Sequence, residues 1–239
     1  MNRQVWILAI AGALGLSVAP VVVFIGGIVG AALAPSVELA TLPVAFMVVG
    51  TALSVLPVTR FMQVFGRKNV FIFGALINTL ASLLAAFFIS EHNFWGFTVA
   101  VAMLGGGMAT IQQYRFAAME SVSTARMASA ASFVLLGGLV AAILGPELAE
   151  NGENLLDTKF SGSFILLSFV CLAGGFCLLF YQAAETYQTE SNEGAMTVER
   201  SLIVIMQSPV FWVAVLAAAI GYAVMSYIMT ATPVSMHVM

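Results

Sequence analysis

Apolar runs longer than most soluble helices recur along this chain, and they constrain its fold more than any other feature. Seven segments, at about 5–32, 42–62, 69–90, 94–115, 127–147, 162–183 and 208–232, are long enough to cross hydrocarbon. A bilayer core is about 30 Å thick and takes roughly 20 residues of helix. Only 8% of the residues are charged and 61% are apolar, whereas a soluble domain carries about 25% charged residues. No soluble core could hide that much apolar surface, so the solvent for this chain is lipid. Membrane strands would alternate apolar and polar residues, and these segments are apolar throughout. The expected fold is all-α and polytopic, with about seven transmembrane helices.

The basic residues set the orientation. The stretch Arg60-Phe-Met-Gln-Val-Phe-Gly66-Arg67-Lys68 is a short basic turn between two apolar segments. Positive charge in a short loop resists translocation, which places this turn in the cytoplasm. Each spanning helix reverses the chain, so the remaining loops follow. Arg3, Arg60, Arg67, Lys68, Arg115, Arg126 and Arg200 then fall inside and only Lys159 falls outside. That asymmetry puts the N-terminus in the cytoplasm. Met1-Asn2-Arg3 leads straight into the first segment, which is too long for a cleavable signal and reads as a retained helix. The net charge of −3 and the absence of a basic run exclude nucleic acid as an expected partner. Cys171 and Cys177 lie six apart in one segment, a spacing that suggests neither a CxxC redox motif nor a disulfide.

Several local features bear on packing and gating. Gly26-Gly-Ile-Val-Gly30 is a small-xxx-small pattern that lets another helix approach closely. Pro20 removes a backbone donor and is expected to kink the first segment. The fourth segment ends at Gln112-Gln113-Tyr114-Arg115; Arg115 reads either as a snorkelling arginine or as an inner gate contact with Glu120 as its nearest partner. Gly145-Pro146 is expected to bend and end the fifth segment. The outside loop at 147–160, with Glu147, Glu150, Glu153 and Asp157, reads as a solvated loop or as a cation-attracting outer mouth. Residues 184–207 form the longest polar stretch, a cytoplasmic linker whose second part has apolar residues at helical period. No HExxH, Walker or GxSxG motif is present, so no catalytic set and no cofactor is expected.

In the last segment, Met225 and Met229 are four residues apart and share one helix face. Thioethers favour Cu(I) over harder ions, and Met108 is a third candidate; methionine is equally a common packing residue.

Six helices, a polar inside linker and a new helix form a layout that resembles the major facilitator superfamily. The superfamily's loop between helices 2 and 3 has the pattern G-x-x-x-D-[RK]-x-G-[RK]-[RK]. Gly66, Arg67 and Lys68 match its last positions, while Thr59, Gln63 and Val64 stand where the first glycine, the aspartate and the first basic residue belong. The resemblance implies a six-helix N-terminal bundle over 1–183, an interdomain linker over 184–207, and at 208–239 the first helix of an incomplete C-terminal bundle. It also implies an inner bacterial membrane and a gating role for Gly66, Arg67 and Lys68. The sequence around Met225 and Met229 resembles the helix 7 motif of the CcoA-like copper importers, a branch that also includes relatives associated with riboflavin. The expected function is secondary transport, with a copper ion as substrate. The alternatives are a small organic solute such as a flavin or apolar drug, or a half-unit that does not transport alone, either pairing with a separate missing half or being a fragment of a longer protein.

Overall fold

A computed structural model describes residues 2–182 and 208–238 of the 239, with only the backbone at 226–227 and 229–238. All regular structure among the described residues is helical. The elements are α1 (Arg3–Leu16), α2 (Val18–Leu33), α3 (Leu42–Phe65), α4 (Arg67–Ser90), α5 (Phe94–Ile111), α6 (Tyr114–Glu120), α7 (Met127–Gly152), α8 (Ser161–Leu179) and α9 (Pro209–Val238). Two 3₁₀ turns, Val37–Leu39 and Thr124–Arg126, precede α3 and α7.

Six spans are apolar and long enough to cross a membrane: Arg3–Leu33, Val37–Phe65, Arg67–Ser90, Phe94–Glu120, Thr124–Gly152 and Ser161–Leu179. They fall where the first six apolar runs predict. The polar linker expected at 184–207 lies outside the described residues, as does residue 183. The chain divides into two compact units, Met1–Tyr187 and Gln188–Met239, and α9 belongs to the second.

Within the first unit, α3 packs chiefly on α5, α4 on α8 and α5, and α1 on α7 and α8. The span 94–120 is the most buried, at 67%, and the span 37–65 the least, at 17%. The outward faces are apolar: Leu53 and Leu56 on α3, Phe73, Leu80 and Phe87 on α4, Leu139 and Ile143 on α7, and Phe169 and Phe176 on α8 are exposed. A soluble monomer rarely exposes contiguous apolar patches on this scale. These faces meet lipid or further protein.

Two spans are broken. The first is interrupted at Ser17, whose hydroxyl donates to the Leu14 carbonyl at 2.5 Å. Pro20 explains the position, because the N–H that would reach back to Leu16 does not exist. The fourth is interrupted at Gln112–Gln113, between α5 and α6.

Small residues set the spacing. A methyl group at Gly30 would overlap the Ala40 carbonyl, and one at Gly26 would press Val44 at 3.2 Å, so the glycine pair admits the connection into α3. The Gly145-Pro146 pair departs from expectation. The pair does not end its helix: α7 continues to Gly152 and carries Glu147 and Glu150 into its last turns. Gly145 instead receives the ring of Pro20, whose carbons would lie 2.6–2.7 Å from an added Cβ. Tertiary packing thus holds the helix through the one hydrogen bond Pro146 removes.

Candidate functional site

The basic turn is shorter than expected. Arg60 lies inside α3, and Gly66 alone separates α3 from α4, with φ 79° and ψ 153°. Only glycine adopts that conformation without steric cost. The reversal places Arg67 at the first position of α4, where its Nη2 donates to Glu120 Oε1 at 2.6 Å. Glu120 ends α6, so the ion pair ties the Gly66 turn to the end of the fourth span. The side chains are 32% and 44% exposed. Asp was missing from the loop pattern at Gln63, and Glu120 supplies a carboxylate from a different helix. Arg115, for which Glu120 was the expected partner, instead lies over the Phe116 ring at 4.8 Å and is exposed. Lys68 is half-buried and makes no ion pair among the described residues.

Tyr181, just past α8, completes this end. Burial pushes its phenol up from the usual 10.0; the Arg67 guanidinium opposes this, Glu120 reinforces it, and a hydrogen bond with the Ser121 side chain lowers it slightly. Its ring lies 5.9 Å from Phe71, which meets Tyr114 edge-on at 4.6 Å. Asn2 Nδ2 donates to the Ser121 carbonyl at 2.9 Å, and Gln182 N donates to Gln4 Oε1 at 3.0 Å. The N-terminus, α4, α6 and the end of α8 are therefore latched at one end of the bundle.

Two openings flank this end. A cavity of about 510 Å³ lies between α3, α4 and α5, with Phe61, Phe65 and Phe73 on its walls and Ser54, Asn69 and Thr110 as polar members. A groove of about 310 Å³ runs between α1 and α7, where Trp6 and Phe133 meet edge-on at 4.6 Å. Ligand sites combine this kind of apolar, aromatic wall with a few polar groups.

The candidate methionines belong to different units. Met108 is 7% exposed and packs in the core of the first unit. Met225 and Met229 are both in α9, four residues apart. Among the described residues, no group of three or more His, Cys, Asp or Glu side chains converges. Sequence reasoning missed the Arg67–Glu120 pair, Tyr181 and the Trp6–Phe133 contact. All three bring together residues far apart in the chain, and no short-range spacing signals them.

Fold and surface define a multi-pass helical membrane protein with a latched basic turn at one end. The chain belongs to the Major Facilitator Superfamily, whose family model matches residues 5–239. It is 38% identical over 236 residues to the riboflavin transporter RfnT of Brucella anthropi, which covers 98% of this chain and 59% of the relative. It is 25% identical over 161 residues to the uncharacterized MFS-type transporter YddS of Bacillus subtilis, covering 66% of this chain and 37% of that relative. The chain thus spans well under two thirds of the length of either. No solved structure matches it.

Proposed function

We propose that this chain forms part of a secondary transporter that carries a small organic solute of the flavin class by alternating access. The observation that carries the proposal is the 38% identity to a riboflavin transporter along nearly the whole chain. Physical features support it. A flavin presents a flat aromatic ring and a hydroxylated tail. Trp6 and Phe133 offer an aromatic wall, and the α3–α5 cavity adds Ser54, Asn69 and Thr110 beside three phenylalanines. Aromatic pairs of this kind contribute about 0.5–1.5 kcal/mol beyond the area they bury. The bundle would rock about its solute site, with the Arg67–Glu120 pair as an inner latch. The positive-inside asymmetry supports a cytoplasmic Gly66 turn and N-terminus, and the family resemblance favours an inner bacterial membrane.

Copper import is the second reading, and it rests on Met225 and Met229 and the resemblance of the sequence around them to the helix 7 motif of the CcoA-like importers. One experiment separates the two. Cells that cannot make riboflavin express the intact gene product, and uptake of labelled riboflavin and of copper is measured. Met225→Ala/Met229→Ala cells are measured alongside. The flavin reading expects riboflavin uptake above the empty-vector control and copper accumulation unchanged by the double substitution. Copper accumulation lost in the double variant, with no riboflavin uptake from a well-expressed protein, reverses the assignment.

A further inference from the structure

Asn78 sits near the middle of α4, 1% exposed, inside a segment that crosses hydrocarbon. Its carboxamide makes no hydrogen bond to protein, and Oδ1 is the one fully buried side-chain nitrogen or oxygen among the described residues without a partner. A buried polar group left unmade costs about 1–3 kcal/mol, and the bilayer core holds no bulk water to relieve it. Gly107 makes room for this amide: a methyl there would overlap Oδ1.

Asn78 also lines a small void of about 10 Å³, together with Ala11, Gly15, Ile111, Tyr114, Cys171 and Gly174. That volume is about one water. Small residues of α1 and α8 leave the space, and polar side chains of α4, α6 and α8 border it. The void also lies where the two broken spans meet. Gly15 precedes the interruption at Ser17, and Ile111 and Tyr114 flank the interruption at Gln112–Gln113. A methyl at Gly15 would strike Ile111 at 2.8 Å, so the two breaks are in contact.

We propose that this void is a binding site for a single water molecule, which bridges the Asn78 carboxamide to the Tyr114 hydroxyl and the Cys171 thiol. A buried water typically makes about three hydrogen bonds, and here it satisfies Asn78 Oδ1, the group that has no protein partner. Here it supplies a hydrogen-bonding pivot at the level where α1 hands over to α2 and α5 to α6. The site is independent of the solute that the protein carries.

X-ray radiolytic labelling in H₂¹⁸O tests this, because a water held beside a side chain oxidises that side chain when irradiated in place. The purified chain in lipid nanodiscs is irradiated, and ¹⁸O incorporation is read at Tyr114 and Cys171. Phe97 and Phe164, which are 0% exposed and outside the void, are the controls. Labelling of Tyr114 and Cys171 several-fold above the controls is expected. Asn78→Leu removes the polar partner. Gly174→Ala narrows the void with ordinary contacts, since its Cβ would lie 3.5 Å from Leu14 and 3.6 Å from the Ala11 carbonyl. Either variant, checked as monodisperse, should bring labelling down to control level. Control-level labelling in the unsubstituted protein, or undiminished labelling in both variants, overturns the site.

Discussion

Substituting glycine by alanine at two positions tests how the helices are held together, because the chemistry is the same and only the neighbours differ. At Gly105 on α5, an added methyl would overlap the Met47 carbonyl of α3, and Thr51 Oγ1 donates to the Gly105 carbonyl at 2.9 Å. At Gly138 on α7, an added methyl meets nothing within 4 Å. Alanine gains about 0.5–1 kcal/mol over glycine within a helix at either site. Overpacking costs about 1–3 kcal/mol, and the overlapped atom here is backbone, which cannot rotate away. A disturbed Thr51 hydrogen bond adds about 1 kcal/mol. Gly105→Ala should therefore be less stable than Gly138→Ala by about 2–4 kcal/mol. At about 2–4 °C per kcal/mol for a chain of this size, that is a Tm gap of roughly 5–15 °C. Thermal unfolding in a mild detergent, followed by tryptophan fluorescence or retained monodispersity, measures it. Equal melting temperatures for the two variants would refute close backbone contact between α3 and α5.

Three further outcomes follow from the inner latch. Glu120→Gln should change stability by less than about 1 kcal/mol, since both partners are partly exposed. It should nevertheless increase labelling of a cysteine placed at Lys68, measured from the inner face with a maleimide. Gly66→Ala should cost about 1–3 kcal/mol, because φ 79° with ψ 153° is a conformation essentially reserved for glycine, even though no atom lies within 4 Å of an added Cβ; the melting temperature reads this. The raised Tyr181 phenol keeps its proton in the folded chain where the unfolded chain begins to lose it. Its contribution to stability is full below pH 10.0 and declines as pH rises from there through the folded value. Tyr181→Phe should flatten that part of the stability–pH curve measured by chemical unfolding.

Much of the architecture was legible because lipid imposes one simple requirement, a long apolar run with its backbone bonded internally. Six segment boundaries therefore lie within a few residues of the helices. The expected end failed where tertiary packing decides: α7 runs through Pro146 because Gly145 seats Pro20. The motif residues Gly66 and Arg67 could be read from the sequence, but the partner of Arg67 could not. Glu120 is 53 residues away on another helix, and the absent aspartate at Gln63 hid the pairing. Asn78 was equally silent, since a lone asparagine in an apolar run reveals nothing of its neighbours. The proposed flavin-class solute rests on kinship rather than on Met225 and Met229, because two thioethers on one helix face serve packing as readily as metal binding.

The account depends most on the chain crossing a bilayer with its Gly66 turn inside. Single cysteines at Lys68 and Lys159, in a background with Cys171 and Cys177 replaced by serine, can be labelled with a membrane-impermeant maleimide in right-side-out spheroplasts. Labelling at 159 in intact spheroplasts, and at 68 only after lysis, is the predicted result. Labelling at 68 before lysis would contradict the topology and the inner latch built on it.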